Sequence, residues 1–278
     1  MKKVFFILNS MILSLGLSTL IGACSSSDEE SSKEERYQPL LRNIVFKAFS
    51  EKDGKERNVD SMCIAYDKEG RVLQYGKEVT FSYQQNGAII LVDINDSKRI
   101  YKDTLFVNNH RIDSIHGSFG VYDMLYDKIT GYYPFHAKLA YDKDNYLTSI
   151  VISDLWQQKG DINEVYSYSW NHGNLQKYEV VHWGKLKYRT SYEYLEDKIN
   201  VRWASCVDYP LPELNVLAEE DYLGKLSHNM VSRRVYEDKS AFSNTSVYEY
   251  KYVIEQGLIV KKTVDTSYNS YAESYYWQ

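Results

Sequence analysis

The sequence predicts an all-β domain, an antiparallel meander of β-hairpins that curves into a barrel-like sheet. The first observation is the stretch Val165–Tyr178, where Tyr166, Tyr168 and Trp170 alternate with smaller residues, so their rings leave one face of a strand. The run Asn-His-Gly-Asn at 171–174 tolerates positive φ and predicts a tight turn before the apolar pattern resumes. The second observation is that the same hairpin pattern recurs along the chain, at Val79–Leu91, Leu105–Ile115, Leu139–Ile150, Tyr188–Val201 and Tyr248–Val260.

Composition supports this fold class and excludes several functions. The 278 residues include 27 Tyr and only 9 Phe, and tyrosine suits a half-buried sheet face where the ring packs and the hydroxyl reaches water. Only 4 Pro and 14 Gly argue against a disordered or fibrous chain. The formal charge is -5 and no stretch accumulates basic residues, so a nucleic-acid partner is not expected.

The first residues predict export. Lys2 and Lys3 precede an apolar run over residues 4–23, which could by length be a transmembrane helix. The run ends, however, in Ile21-Gly22-Ala23-Cys24, which resembles the bacterial lipobox, where the signal is cut before a cysteine that receives acyl chains such as palmitate. We therefore expect a lipoprotein signal peptide over residues 1–23 and lipidation at Cys24.

Residues 24–39 are expected to be the lipidated cysteine and a solvated acidic tether. The segment Ser25–Glu35 holds no apolar residue to bury and several like charges. An acidic run directly after the cysteine resembles the surface-export signal of Bacteroidota-type lipoproteins. That resemblance implies an outer-membrane protein that faces the cell exterior; the alternative is a periplasmic tether with incidental acids.

Residues 40–278 are expected to form a single β domain of repeated hairpins, because the apolar period is two almost throughout and no long helical crossover exists. One segment departs from that period. Leu214 and Leu217, with Pro212 tolerable in a first turn, predict one short helix near residues 212–222, followed by a turn at Gly224. We expect this segment to cap an open end of the sheet.

The tandem Tyr-x-Tyr hairpins, the Leu-Gly helix-turn near Tyr222–Leu226 and the aromatic C-terminal strand resemble a family of lipoproteins with a domain of unknown function described as porin-like. The resemblance covers about residues 42–278 and implies a curved, barrel-like sheet without catalytic residues. Outward positions such as Arg189, Glu193, Glu249 and Lys251 carry charges that lipid would penalise, so the resemblance implies shape and not membrane spanning.

The search for catalytic and metal sites finds none. Cys63 and Cys206 could pair in an oxidising compartment, but free buried cysteines are the alternative. His110 and His116 stand roughly 20 Å apart on one extended strand, too far to share an ion, and His172 and His182 are expected in exposed loops. Residues 142–145 resemble a calcium-binding loop, but a hairpin turn accounts for the same residues equally well. No cofactor is expected.

The remaining signal is aromatic. The tyrosine rows with Trp170, Trp183 and Trp203 could stack on sugar rings, or could simply be the core and cross-strand pairs of the sheet. The sequence therefore favours a non-enzymatic, lipid-anchored envelope module that binds glycan or protein. The alternative is a surface polysaccharide hydrolase, similar to a glycosidase, that uses paired carboxylates.

Three Asp-Ser/Thr-apolar triplets, at Ser61, Thr104 and Ser114, resemble the sequon for periplasmic O-glycosylation in Bacteroidota-type bacteria. The resemblance implies glycans at these hydroxyls. The alternative is that Asp and the hydroxyl only form local turns at strand ends.

Overall fold

The structure, a computed structural model, describes residues 39–49, 56–94, 100–123, 128–153, 162–211, 214–239, 244–266 and 269–278. The expected signal peptide, the lipidated Cys24 and the acidic tether lie outside these residues. Within the described ranges, no helix combines the length and apolar character needed to cross a membrane, a finding that concerns helices only.

The described residues form a closed antiparallel barrel in which every strand pairs with its neighbours along the chain. The barrel closes where Ile44 of the first strand pairs with Tyr275 of the last. The expected meander is therefore confirmed and is fully closed, which leaves no unpaired sheet edge. The strands are β1 Leu41–Phe49, β2 Glu56–Tyr66, β3 Val72–Tyr75, β4 Val79–Tyr83, β5 Ile89–Ile94, β6 Ile100–Asn108, β7 Arg111–Asp123, β8 Lys128–Tyr141, β9 Leu147–Ser153, β10 Ile162–Asn171, β11 Asn174–His182, β12 Lys185–Ile199, β13 Asn229–Asp238, β14 Asn244–Glu255, β15 Leu258–Thr266 and β16 Ser270–Trp277.

Most predicted hairpins are confirmed, including β10–β11 with its turn at His172-Gly173, where φ is +48° and +79°. The Leu105–Ile115 pattern predicts a turn at Asn108-Asn109. The turn in the structure lies one residue later, at Asn109-His110. The predicted hairpin Tyr188–Val201 is wrong, because residues 185–199 form the single strand β12. The turn that precedes β12 is Trp183-Gly184, with φ of +50° and +72°.

The alternation of side chains places a continuous apolar and aromatic layer inside the barrel. Tyr168 and Tyr178, direct register partners across β10 and β11, are both buried, and their ring centroids are 5.2 Å apart. Val180 and Thr190 continue this inner face and are also buried. The expectation that Tyr166, Tyr168 and Trp170 share a face is confirmed, and that face is the interior.

The described residues between β12 and β13, 200–211 and 214–228, fold into the barrel and close one end. We call this segment the plug. Its helix, α1 Leu214–Glu219, is the short helix expected near residues 212–222, and Leu214, Val216 and Leu217 are fully buried. Four of its six residues are apolar and buried while Asn215 is exposed, and so short a helix is stable only when it packs against the surrounding protein.

Backbone hydrogen bonds attach the plug to three hairpin turns at this end of the barrel. Ile112 N donates to Tyr222 O at 2.9 Å, Lys225 N to Asn145 O at 2.8 Å, and His228 N to Gly173 O at 2.8 Å. Gly224 has a φ of +77°, and a Cβ there would lie 2.4 Å from Asn145 O. Only glycine therefore allows the plug to approach the β8–β9 turn this closely.

The two remaining cysteines are free and lie on opposite sides of the barrel wall. Cys63 is exposed on the outer face of β2, whereas Cys206 is buried in the plug with its Sγ 3.6 Å from the Tyr252 hydroxyl. The Cys63–Cys206 disulfide considered from the sequence is therefore not formed in this structure.

Candidate functional site

The interior next to the plug is closed by charged side chains that pair with one another. Arg234 on β13 donates to both carboxylate oxygens of Asp208 in the plug, at 2.8 and 3.0 Å. Its guanidinium also lies 4.2 Å from the centroid of the Tyr248 ring. Both bonds come from the one nitrogen Nη1, and together with the stacked ring they restrict the movement of all three groups. The charged groups of this part of the interior are thus engaged with one another, and the Asp208 side chain is 44% exposed.

The opposite end of the barrel, which we call the distal end, presents half-exposed tyrosines on the same inner face. Each pairs with a buried or inward-facing residue; Tyr188, for example, is the register partner of buried Val180. Tyr188 is 37% exposed, and its ring stacks on Tyr236 with centroids 5.6 Å apart and planes at 29°. We name the set the distal arc, and it comprises Tyr166 of β10, Tyr188 of β12, Tyr236 of β13 and Tyr271 of β16.

A polar cluster borders the distal arc on the β10–β11 side. The His182 Nδ1 atom lies 2.8 Å from Glu164 Oε1, and the Tyr166 hydroxyl donates to the other carboxylate oxygen, Glu164 Oε2. Burial raises the pKa of Tyr166, and the Glu164 charge raises it further, so the phenol remains a neutral donor. His182 was expected in an exposed loop. That expectation is wrong, because the residue ends β11 and its side chain is only 26% exposed.

Four acids of the interior are already engaged by protein groups. Glu164 and Asp208 hold the contacts described above, and Glu219 of α1 accepts the Trp203 backbone N–H at 2.6 Å. Glu273 on β16 lies 2.8 Å from Lys262 Nζ and accepts the Tyr275 hydroxyl. A glycosidase needs one acid and one carboxylate that face the substrate. None of these four carboxylates is presented in that way.

Two of the buried charges show how strongly the interior perturbs ionisation. Burial raises the pKa of Glu219 to about 7, although the Trp203 N–H lowers it in part. Burial alone would lower the pKa of Lys262, but the Glu273 carboxylate beside it raises the pKa well above its ordinary value. Lys262 is therefore charged in the folded protein.

A cavity lies at the plugged end. This cavity of about 310 Å³ is lined by Arg71, Tyr83, His110 and Tyr222 among others. The Arg71 guanidinium covers the Tyr83 ring at 4.3 Å while it pairs with Asp67, and the His110 ring packs on Tyr222 at 4.4 Å. Because its aromatic faces are covered from within the protein, the cavity is a poorer ligand site than the distal arc.

The outer wall over β11–β15 is lined by charged side chains that pair across strands. Arg189 and Glu179 are 2.8 Å apart, and Arg233 and Glu193 are 2.6 Å apart. Lys251 on β14 lies 2.8 Å from Asp265 and is 72% exposed. The prediction from Arg189, Glu193, Glu249 and Lys251 of an outward charged face is confirmed by their exposed or half-exposed positions. Each Arg or Lys at the middle of a bilayer would cost about 2–4 kcal/mol.

The tryptophans named from the sequence have separate environments. Trp170 is half-buried and donates its Nε1–H to Leu147 O at 2.7 Å, and Trp203 is buried in the plug. Both belong to the core, as the packing alternative predicted. Trp183 is 43% exposed at the β11–β12 turn, next to His182.

The hydroxyls of the three sequons all lie on the outer face of the barrel. Ser61 is exposed, whereas Thr104 and Ser114 are half-exposed. Thr104 is the register partner of His116, and Ser114 is the register partner of Phe106. The structure thus places all three where a modifying enzyme can reach the wall, and glycosylation itself stays a prediction.

Residues 142–145 form a hairpin turn, because Asp142 Oδ1 accepts the backbone N–H groups of Asp144 and Tyr146, both at 2.9 Å. Among the described residues, no group of three or more His, Cys, Asp or Glu side chains is placed to hold a metal ion. Exposed His172 occupies a turn, as expected.

Comparisons with known proteins place the fold without naming a family. No protein-family model matches this chain, and no curated protein matches it. Solved structures do match. A porin-like protein from Bacteroides uniformis superposes with a TM-score of 0.58 at 13% identity, over 86% of this chain and 98% of that one. A porin-like protein from Bacteroides vulgatus superposes with a TM-score of 0.60 at 11% identity, over 87% and 99% of the two chains. At such identities the likeness shows the barrel fold alone.

Proposed function

We propose that this protein is a lipid-anchored envelope protein, outward-facing on the outer membrane, whose barrel is a non-enzymatic module that binds carbohydrate at the distal arc. The observation that carries the proposal is the set of inner-face tyrosines that remain accessible at that end. Tyr188 and Tyr271 are each 37% exposed, so at the distal end the aromatic surface exceeds the needs of the core.

The chemistry of the distal arc suits a sugar. Stacked rings offer flat apolar faces to the C–H surfaces of a pyranose, and neutral phenols supply hydrogen-bond donors at the ring edge. The Glu164–His182 pair adds an acceptor and an imidazole beside the rings. A protein ligand with exposed aromatic or cationic side chains would use the same groups. The experiment must therefore distinguish a protein ligand from a carbohydrate.

The path of the chain supports anchoring by the tether. β1 begins at Leu41, at the plugged end, since Leu40 O accepts a hydrogen bond from Gln278 N beyond β16. The 16 residue-to-residue steps from Cys24 to Leu40 can extend roughly 55 Å. A lipid on Cys24 would therefore hold the plugged end towards the membrane and leave the distal arc at the far end. The charged outer wall supports a barrel that stands in water.

The binding proposal is tested on an array of neutral and acidic oligosaccharides, followed by calorimetry on the best probe. We expect the double variant Tyr188→Ala with Tyr236→Ala to weaken binding by about tenfold or more, since each stacked ring contributes about 0.5–1.5 kcal/mol. Tyr276→Ala is the matched control, because Tyr276 is 52% exposed but faces outward. Absence of binding to every saccharide, or equal affinity of the double variant, would overturn the proposal. Release of new reducing ends would favour the hydrolase.

Surface display and modification are tested separately. Replacing Asp28, Glu29 and Glu30 with alanine should keep the lipid but remove the protein from the outer surface, as read by protease shaving of intact cells. Equal accessibility of mutant and parent would contradict surface display.

Intact-mass measurement of the native protein tests glycosylation. We expect mass beyond polypeptide plus lipid that is lost on mutating Ser61, Thr104 and Ser114.

A further inference from the structure

Two histidines face each other across neighbouring strands on the outer wall, away from the distal arc. His116 of β7 is the direct register partner of His136 of β8. Their ring centroids are 4.3 Å apart with 62° between the planes, and both side chains are exposed. We propose that this pair binds one divalent first-row transition-metal ion of the zinc, nickel and copper class. The proposal is independent of the carbohydrate proposal.

The geometry of a cross-strand pair suits chelation by two imidazoles. Directly opposed residues of an antiparallel pair have Cβ atoms about 4.5–5.5 Å apart. Two imidazole nitrogens that share an ion, each about 2.0–2.1 Å from it, lie roughly 3–3.5 Å from one another. Rings whose centroids are 4.3 Å apart can bring one nitrogen each to that separation by rotation of the side chains alone.

The surroundings restrain the site and limit which ions fit. The Phe106 ring contacts His116 edge-on, with centroids 4.8 Å apart, and forms one wall of the site. The residues that flank the pair in the same row carry hydroxyls, Thr104 beside His116 and Ser153 beside His136. Imidazoles with hydroxyls select transition ions over Ca²⁺ and Mg²⁺, which require several carboxylate or carbonyl oxygens.

Two protein nitrogens leave the other coordination positions to water or to the flanking hydroxyls. Such a site is weaker than a closed structural zinc site, and its affinity should follow the order in which Cu²⁺ exceeds Zn²⁺. Because both ligands lie on strands of a closed barrel and not on loops, no loop has to be ordered for the ion to bind.

The test uses the full-length lipidated chain in detergent, without a histidine tag, titrated by calorimetry with ZnCl₂ and CuCl₂. We expect about one ion per chain for the parent. His116→Gln and His136→Gln should each weaken binding by at least about tenfold, and the double variant should abolish it. His172→Gln is the matched control, because His172 is an exposed histidine in a turn, and it should bind as the parent does.

The electron paramagnetic resonance spectrum of the Cu²⁺ complex provides a structural readout. We expect superhyperfine splitting from two nitrogens in the parent and one in each single variant. The proposal is overturned if the parent binds neither ion, if the double variant keeps the parent's affinity, or if His172→Gln removes the site. Unchanged far-UV circular dichroism of the variants establishes that the barrel is intact in each.

Discussion

Two ion pairs of equal length lie on opposite faces of the barrel wall, one between β15 and β16 and the other between β14 and β15. Lys262–Glu273, on the inner face of β15–β16, and Lys251–Asp265, on the outer face of β14–β15, are both 2.8 Å apart. The inner lysine side chain is 12% exposed and the outer one is 72% exposed. The inner pair interacts in a low dielectric and is also bonded by Tyr275, whereas water and salt screen the outer pair.

The two pairs show that the inner and outer faces of this barrel lie in different environments. The inner face is a protein core in which every charge needs a partner, and the outer face is an ordinary water-exposed protein surface. A porin of similar shape would have the reverse arrangement, with an apolar outer band and a polar lumen. The sequence alternation is thus that of a β-barrel whose apolar core lies inside and whose outer face over β11–β15 is charged.

The largest expected effect comes from breaking the inner pair. Glu273→Ala should reduce the free energy of unfolding by about 3–5 kcal/mol, because it leaves the Lys262 ammonium buried without its counter-ion. The double variant Glu273→Leu with Lys262→Met should recover most of this loss, since it removes both charges. Asp265→Ala is the outer-face control and should cost much less in the same chemical denaturation. Equal losses at Glu273 and Asp265 would contradict the comparison.

The contact between the plug and the wall gives the next largest effect. Gly224→Ala should destabilise the fold by more than about 2 kcal/mol, because it combines the strain of a positive φ with a clash against Asn145 O. Gly257→Ala is matched in φ, at +80°, but its Cβ would meet open space. The difference between the two variants in urea unfolding isolates the clash. A difference near zero would mean that the plug does not press on the β8–β9 turn.

A smaller and pH-dependent effect is expected at Glu219. The pKa of this acid is raised to about 7 in the folded state, so the folded protein binds the proton more tightly than the unfolded chain. The contribution of Glu219 to the free energy of unfolding is therefore most favourable below about pH 4.5 and is lost as pH rises through about 7. Glu219→Gln should raise the free energy of unfolding relative to the parent by about 2–3 kcal/mol at pH 8. The gain should shrink towards pH 5; a gain independent of pH would show that Glu219 is not protonated in the fold.

Sequence reasoning was most successful where structure is decided locally. Alternation of Tyr166, Tyr168 and Trp170 and the turn at His172-Gly173 depend on neighbouring residues only, and both were predictable. The false hairpin at Tyr188–Val201 arose from the charged run Glu196-Asp197-Lys198, which lacks a Gly or Asn that adopts positive φ easily. The turn that precedes β12, Trp183-Gly184, has Trp183 at positive φ, which is uncommon for a tryptophan.

The parts that the sequence did not predict depend on pairing between distant strands. His116 was compared with His110 along one strand, but its neighbour is His136, which the β7–β8 register brings opposite. The Glu164–His182 pair and the plug contacts of Asp208 likewise join residues far apart in the chain. Register across a barrel is set by bulges and closure, which no local pattern encodes.

The central claim, a barrel that stands in water and is held to the membrane only by its tether, has a direct test. A site-specific protease sequence inserted between Ser32 and Lys33 would allow the tether of the membrane-bound protein to be cut in detergent-free buffer. We expect the barrel to appear in the supernatant after ultracentrifugation, folded by circular dichroism, while an uncut control remains in the pellet. A barrel that stays in the membrane pellet after complete cleavage would contradict the account.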